Sequence, residues 1–292
     1  EQVTERRQGQ VLEIYTPVFR NNRVVGVIEL YEADESLFRD IRRQERTIWL
    51  LVVSAGVLLY VLLFYIFYST QRRIRETNRR LVRTSEVTIY ALAYQAGLRD
   101  LETGQHLERT SKYVELLAQE LMKFSPYRRY LSGSYIRDLV MAAPLHDIGK
   151  VGIPDSILLK PGPLTPEERA VMEQHCEYGA RVLREAESRL PFQSFLSLGV
   201  QLCLGHHEKW DGAGYPRRLK GEDIPLSGRI MALADVYDAL RSHRPYKKAF
   251  SHDHSRRIIL EGTGVHFDPY LVEAFRRVEA EFEKISIQMA DV

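Results

Sequence analysis

The segment HHEKWDGAGYP (206–216) joins two neighbouring histidines to a glycine-rich turn that ends in proline. It follows the apolar run FQSFLSLGVQLCLG (192–205), which predicts a helix that ends at His206 and His207. Neighbouring side chains cannot share one helix face, but two neighbouring imidazoles can bind two neighbouring metal ions. The segment therefore predicts a helical domain with a metal site beside a turn.

Helical patterns continue on both sides of this segment. Thr165, followed by proline and by Glu168, forms a capping-box start for PEERAVMEQHCEYGARVLREAES (166–188), which we predict to be one helix. GRIMALADVYDAL (228–240) predicts a further helix with an apolar face. The C-terminal two thirds of the chain therefore predict a mainly α fold.

Imidazole and carboxylate side chains recur in these stretches. Glu102 and His106 stand four residues apart, so a helix projects them from one face. HDIGK (146–150) joins an imidazole to a carboxylate where Gly149 can end a helix. Asp235 would be costly on an apolar face unless it is paired or bound to a metal. The histidines that stand among apolar residues are His106, His146, His175, His206 and His207.

Each of these residues alone has an ordinary explanation as a solvated charge, an ion-pair partner or a core histidine. Together, nitrogen and carboxylate oxygen ligands in an apolar shell suit iron, manganese or zinc better than calcium. The two cysteines, Cys176 and Cys203, form neither a disulfide framework nor a CxxC motif, and we expect reduced core residues.

HDIGK and HHEKWDGAGYP resemble the HD-GYP family, metal-dependent phosphodiesterases that degrade cyclic di-GMP. The resemblance covers about residues 86–280 and includes RDLETGQHLER, PLHDIGKVGIPDSILLKPGPLTPEE and GVHFDP. It implies a helical HD-domain bundle with metal ions in its core. It also implies two or three divalent metals, most often iron or manganese, with Asp147 bridging and Glu102 accompanying a third metal. The implied ligands are Glu102, His106, His146, Asp147, His175, His206, His207 and Asp235.

The same resemblance implies that Lys150, Arg244 and Lys247 contact the substrate phosphates. Arg and Lys can neutralise the charge of a phosphodiester, while a metal-bound hydroxide would attack phosphorus in line. Asp147 and Lys150 are thus the implied catalytic residues, with Lys150 a candidate proton donor to the leaving oxygen. The products would be linear pGpG, GMP or both. Arg241 departs from the threonine that the family commonly has, and would add a cation near Arg244.

Two other functions remain open at this stage. One is a catalytically silent module that binds a cyclic dinucleotide or a partner such as a diguanylate cyclase domain. The other is an HD phosphohydrolase that acts on a hybrid cyclic dinucleotide. Gly214, Tyr215 and Pro216 are expected to shape the loop beside the pocket or to contact such a partner. The net charge of +2 and the lack of a basic patch with interleaved aromatics argue against a nucleic-acid polymer as partner.

The run Ile48 to Tyr68 has no charged residue over 21 positions, which predicts a transmembrane helix. A buried core helix is the alternative. More arginines follow the run than precede it, which favours a cytoplasmic C-terminal side at the inner (cytoplasmic) membrane.

Before this run, VLEIYTPVF (11–19) and VVGVIELY (24–31) predict a β-hairpin around two asparagines. We interpret it as the end of an extracytoplasmic sensor whose earlier part lies upstream. Residues 71–98 predict either a signalling helix paired in a homodimer or a solvated connector. The predicted regions are the sensor end (1–47), the span (48–68), the linker helix (69–98) and the phosphodiesterase domain (99–292).

Overall fold

Residues 12–32, 35–100, 104–242 and 249–290 are described by a computed structural model. Among the predicted site residues, Glu102, Arg244 and Lys247 lie outside this described part of the chain. The chain divides into two units, Glu1–Arg80 and Leu81–Val292.

The first unit begins with an antiparallel hairpin of β1 (Leu12–Arg20) and β2 (Arg23–Glu32). Asn21 and Asn22 form the turn with φ angles of 48° and 62°. Asparagine tolerates this left-handed region, and the two-residue turn matches the twist of the paired strands. The hairpin predicted from the sequence is confirmed.

A helix of 63 residues, α1 (Glu35–Gly97), follows the hairpin. Its apolar window has a mean hydropathy of 2.6 and is not buried inside the protein. By length and composition, this is the one helix in the described part of the chain that could cross a membrane. The charged residues before the apolar run and the arginine-rich residues after it belong to the same continuous helix.

The second unit is a bundle of helices around the end of α1. The helices after α1 are α2 (Gly104–Phe124), α3 (Gly133–Ala142), α4 (Asp155–Leu158), α5 (Pro166–Met172), α6 (His175–Glu187), α7 (Phe195–Gly205), α8 (Leu226–Arg241), α9 (His252–Glu261) and α10 (Pro269–Gln288). Short 3-10 turns connect several of them, at Leu98–Asp100, Pro126–Arg129, Ala143–Leu145, Ile148–Gly152 and Gly221–Asp223. The mainly α fold predicted from the sequence is confirmed.

The main core lies between α2, α8 and α10. Tyr113 stacks on Phe282 with 4.3 Å between ring centroids, and Tyr237 meets both rings edge to face. All three side chains are fully buried. This close aromatic packing holds α2 and α8 in fixed positions, and so fixes where the predicted ligands on these two helices lie.

A smaller apolar cluster joins the end of α1 to the segments that carry predicted metal ligands. Ala93 of α1 is buried in this cluster together with Leu107, Leu145 and Leu204. Leu107 and Leu145 are sequence neighbours of His106 and His146, and Leu204 lies two residues before His206. The packing of the last turns of α1 therefore sets the position of the backbone at three predicted ligands.

The run 166–188 is not one helix, contrary to the sequence prediction. The Thr165 capping box is present, but α5 ends at Met172 and α6 begins at His175. The N–H of Gln174 donates to the carbonyl of Val171 at 3.1 Å, an i to i−3 bond that tightens the turn and ends the α-helical pattern. His175 is therefore the first residue of α6, whereas the sequence prediction placed it inside one long helix over residues 166–188.

Gly149 also has a different role from the helix stop that was predicted. It lies inside the 3-10 turn Ile148–Gly152 and packs against the start of α6. A Cβ at this position would lie 1.9 Å from the carbonyl oxygen of His175 and 2.4 Å from the backbone nitrogen of Gly179. Only glycine permits this approach, which brings Asp147 next to His175.

Candidate metal centre

Three buried imidazoles in the second unit have the same orientation. The Nδ1 atoms of His146, His175 and His206 lie 2.9, 2.7 and 2.8 Å from backbone carbonyl oxygens three or four residues earlier. A carbonyl oxygen only accepts hydrogen bonds, so Nδ1 carries the proton in each ring. The Nε2 atom of each ring is therefore left with a lone pair, the state in which imidazole binds a metal.

These Nε2 atoms converge on the carboxylate of Asp147. Its Oδ1 lies 3.2 Å from Nε2 of His175 and 3.3 Å from Nε2 of His206, while Oδ2 lies 3.4 Å from Nε2 of His146. Within the described residues, neither Oδ1 of Asp147 nor Nε2 of His206 has a hydrogen-bond partner, although both are buried. Lone pairs that face one another in this way repel unless a cation lies among them. The donor set therefore fits a divalent metal ion.

The predicted ligands that the structure describes form two adjacent groups. In each group, one ligand atom per residue lies within 4.8 Å of the others. In the second group, Oδ1 of Asp235 lies 3.9 Å from Nε2 of both His106 and His146. The groups are Asp147 with His175, His206 and His207, and His106 with His146 and Asp235. Because His146 and Asp147 are consecutive, the two groups lie side by side.

Burial and neighbouring charges set the protonation of the first group. Burial lowers the pKa of His206 and of His207 below the usual range, so both rings are neutral at pH 7. Burial alone would raise the pKa of Asp147, but the Lys150 ammonium outweighs it and holds this pKa well below its usual range. Neutral imidazoles around an ionised carboxylate are the forms that bind metal ions without first losing protons.

His106 is oriented by a carboxylate that the sequence analysis did not identify. Its Nδ1 atom lies 2.8 Å from Oδ2 of Asp238, which also accepts hydrogen bonds from Arg109. Burial would raise the pKa of Asp238, but His106 and Arg109 lower it, so the carboxylate stays ionised. Asp238 follows Asp235 by three residues on α8, but this spacing does not reveal that the partner of Asp238 is His106, 132 positions earlier in the chain.

Lys150, a predicted phosphate contact, lies at the edge of the first group. Its Nζ atom is 2.7 Å from Oδ2 of Asp147 and 2.5 Å from Oδ2 of Asp100. The side chain of Lys150 is only 12% exposed. The cation is thus held between two carboxylates, of which Asp100 was not among the predicted site residues.

The turn after His207 folds back onto this histidine. Tyr215 donates its backbone N–H to the carbonyl of His207 at 3.2 Å, and the two rings stack at 4.6 Å. A Cβ at Gly214 would lie 2.4 Å from the backbone nitrogen of Lys209, which explains the glycine. The buried carboxylate of Glu208 accepts the backbone N–H groups of residues 217 and 219. These contacts support the prediction that this segment shapes the loop beside the site.

Arg241, predicted to add a cation near Arg244, hydrogen-bonds to two other segments of the second unit, and Arg244 itself lies outside the described residues. The Arg241 guanidinium donates to the hydroxyl of Ser286 on α10 at 3.1 and 3.2 Å and to the carbonyl of Phe250 at 2.6 Å. Arg241 therefore links α8 to α10 and to the residues that follow position 248. Cys176 and Cys203 are buried and unpaired by disulfide, as expected.

Comparison with known proteins agrees with this architecture. A family model described as HD domain matches residues 101–271. A Vibrio cholerae protein named "Cyclic di-GMP phosphodiesterase" is 54% identical over 74% of this chain and 44% of its own length. A Thermotoga maritima protein of the same name is 44% identical, over 64% of this chain and 47% of its own length.

A third relative is named for a different substrate. The V. cholerae "3'3'-cGAMP-specific phosphodiesterase 2" is 42% identical over 75% of this chain and 38% of its own length. The chain thus spans less than half the length of these three relatives. The family match covers more than half of the chain, and the relatives' names support the HD-GYP group. This chain belongs to the HD domain family.

Proposed function

We propose that this chain is a membrane-bound, metal-dependent phosphodiesterase that hydrolyses cyclic di-GMP to linear pGpG, GMP or both. The observation that carries the proposal is the convergence of three Nε2 atoms on Asp147, 3.2 to 3.4 Å away. The names of relatives that are 44% and 54% identical support the reaction and the substrate.

We propose two or three divalent metal ions, iron or manganese, for the two adjacent groups. Metal ions bound there would supply a Lewis acid for the phosphodiester and a water nucleophile at neutral pH. Asp147 is the proposed bridge, because its two oxygens face different imidazoles. The proposed ligands are Glu102, His106, His146, Asp147, His175, His206, His207 and Asp235.

The protein must also position the phosphodiester and neutralise its negative charge. The Lys150 ammonium, 2.7 Å from Asp147, is close enough to the proposed bridge to contact a phosphate oxygen held there. The same ammonium is the proposed proton source for the leaving oxygen. Arg244 and Lys247 remain proposed phosphate contacts on the strength of the sequence resemblance.

A hybrid cyclic dinucleotide is the second candidate substrate, because one relative is named for 3'3'-cGAMP. The full chain, purified in detergent with Mn²⁺ or Fe²⁺, should linearise cyclic di-GMP with a higher kcat/KM than 3'3'-cGAMP. The reverse preference would assign the hybrid as substrate. Turnover of neither dinucleotide with iron, manganese or zinc would contradict the proposed function.

Two variants separate catalysis from binding alone. Asp147→Asn keeps the shape of the side chain but removes the bridging charge, and should lower kcat at least about 100-fold. His254→Gln, on α9, replaces a histidine outside both ligand groups and should keep activity within about twofold. A silent binding module would instead bind the dinucleotide without turnover and would be purified anaerobically with an empty metal site.

We propose an inner-membrane location with the helical unit on the cytoplasmic side and a sensor outside. The support is the apolar window of α1, with mean hydropathy 2.6, and the arginine excess that follows it. Residues 71–98 are proposed to pair in a homodimer and to change packing with the stimulus; a cyclase domain is a further candidate partner. Single cysteines along 71–98 test this, since identical disulfide patterns with and without stimulus would contradict it.

A further inference from the structure

Arg99 and Asp100 follow α1, and both contact the 3-10 turn Ile148–Gly152, which carries Lys150. Asp100 places Oδ2 2.5 Å from Nζ of Lys150, and Asp147 places Oδ2 2.7 Å from the same atom. The side chain of Lys150 is 12% exposed, and that of Asp100 is 23% exposed. A lysine has a flexible four-carbon stem, so two carboxylates on different segments restrict its ammonium far more than one would.

The charges of this group also favour a role for Asp100. Asp100 and Asp147 are two anions that share one ammonium. Without Asp100, the ammonium would lose one of its carboxylate partners and would compete more strongly for the carboxylate that the imidazoles face. With Asp100 present, two carboxylates share the Lys150 ammonium. Asp147, the proposed bridge, therefore keeps more of its negative charge.

Arg99 holds the backbone of the same turn. Its guanidinium donates to the carbonyl oxygens of Lys150 at 3.5 Å and Ile153 at 3.2 Å, and also to that of Val151. It further donates to Oδ1 of Asp155 at 2.5 Å. The last carbonyl groups of a short helix lack partners inside it, and the planar fork of arginine can satisfy several at once.

We propose that Asp100 is a positioning residue for the Lys150 ammonium and that Arg99 fixes the turn from which Lys150 extends. The inference rests on the proposed phosphodiesterase activity and adds two residues that act through Lys150. Both follow the last residue of α1, Gly97, by two and three positions. The end of α1 is therefore tied directly to the turn that carries Asp147 and Lys150.

A double-mutant cycle on the full chain in detergent with Mn²⁺ tests the role of Asp100. Asp100→Asn should lower kcat about 10- to 100-fold with KM changed less than about threefold, because the ammonium acts on charge that develops in the transition state. Lys150→Gln should lower kcat at least as much. The double variant should match Lys150→Gln within about threefold, because Asp100 then has no ammonium to position.

The matched control is Asp253→Asn, which removes the same charge from the exposed surface of α9 and should keep kcat within about twofold. Multiplicative losses in the double variant would overturn the inference, since Asp100 would then act independently of Lys150. If the unsubstituted chain has no activity, the proposed function fails instead, and the cycle does not apply.

Hydrogen exchange tests the role of Arg99 without any activity measurement. The backbone N–H groups of Lys150 and Ile153 donate to carbonyl oxygens within the turn, at 2.9 and 3.0 Å. Arg99→Lys keeps the charge but loses the fork, so peptides that cover residues 148–153 should exchange about tenfold faster. Arg189→Lys, in an exposed ion pair with Glu185 of α6, is the control and should leave these peptides unchanged. Unchanged exchange in Arg99→Lys would overturn the role of Arg99.

Discussion

The Nδ1 atom of His106 lies 2.8 Å from Oδ2 of Asp238, and Arg109 donates two hydrogen bonds to the same carboxylate. Both Asp238 and Arg109 are almost completely buried. A carboxylate behind an imidazole holds the ring and its tautomer, so that Nε2 faces the metal. Arg109 in turn keeps Asp238 ionised and in place.

Asp238→Asn should therefore affect both metal binding and stability. We expect Mn²⁺ affinity to fall about 10- to 100-fold, because the ring of His106 loses its charged acceptor. The free energy of unfolding should fall by about 3 kcal/mol, because the buried guanidinium of Arg109 loses the carboxylate that accepts two of its hydrogen bonds. Calorimetric titration and thermal unfolding measure the two effects. Asp223→Asn, an exposed carboxylate, should change neither, and normal Mn²⁺ affinity in Asp238→Asn would contradict the expectation.

Gly149 packs so closely against the start of α6 that it leaves no room for a larger side chain. In Gly149→Ala, the new Cβ would lie 1.9 Å from the carbonyl oxygen of His175, a backbone atom of another helix. We expect a loss of about 3 kcal/mol or more in stability, measured by thermal unfolding followed by circular dichroism. Gly133→Ala is the control, because its Cβ would lie 3.7 Å from the flexible end of Arg137. Equal melting temperatures of the two variants would show that the turn moves freely away from α6.

Metal binding should stabilise the folded chain. Mn²⁺ at about 100 times its dissociation constant adds about 2.7 kcal/mol to the free energy of unfolding, and a chelator should remove this gain. Asp147→Asn should reduce the Mn²⁺-induced rise in melting temperature by more than half. Ca²⁺ at the same concentration should give a smaller rise, since imidazole ligands suit it poorly. A larger rise with Ca²⁺ would indicate an oxygen-only site elsewhere.

His266 should make stability depend on pH independently of the metal ligands. Burial and the nearby Lys209 lower the pKa of His266 to about 4, while Asp211 opposes this shift. A pKa below the unfolded value of about 6.5 means that stability is present above pH 6.5 and is lost as the pH falls toward 4. Between pH 7 and pH 5, this histidine should account for a loss of about 2 kcal/mol.

The variant His266→Gln isolates this contribution from that of all other titrating groups. Thermal or denaturant unfolding of both chains at pH 7 and pH 5 gives two losses of stability, and the loss should be smaller in the variant. Equal losses in the two chains would show that His266 titrates normally in the folded state.

Local patterns in the sequence predicted the features that depend on neighbouring residues. The asparagine pair predicted the turn of the hairpin, and Thr165 with Glu168 predicted the start of α5, because caps and turns need only a few adjacent positions. The uncharged run 48–68 predicted a continuous apolar helix for the same reason. The break between α5 and α6 was missed, because it accompanies the close packing of Gly149 against His175.

Among the site residues, those inside HDIGK and HHEKWDGAGYP could be predicted from the sequence, and the structure brings them together. Asp100, Arg109 and Asp238 could not, because the residues that give them a role are distant in the chain. Asp100 is 50 positions from Lys150, and Asp238 is 132 positions from His106. A carboxylate or guanidinium carries no local sign of such a partner.

The sequence by itself determined a mainly helical unit, an apolar helix and a set of imidazoles and carboxylates that suits metal ions. For His146, His175 and His206 it also came close to determining ring orientation, since each Nδ1 bonds a carbonyl three or four residues back. For His106, only the tertiary structure decided which nitrogen faces the site, because its acceptor comes from α8. The tertiary structure likewise decided where the Lys150 ammonium lies, because a flexible side chain takes its position from the charges that packing places around it.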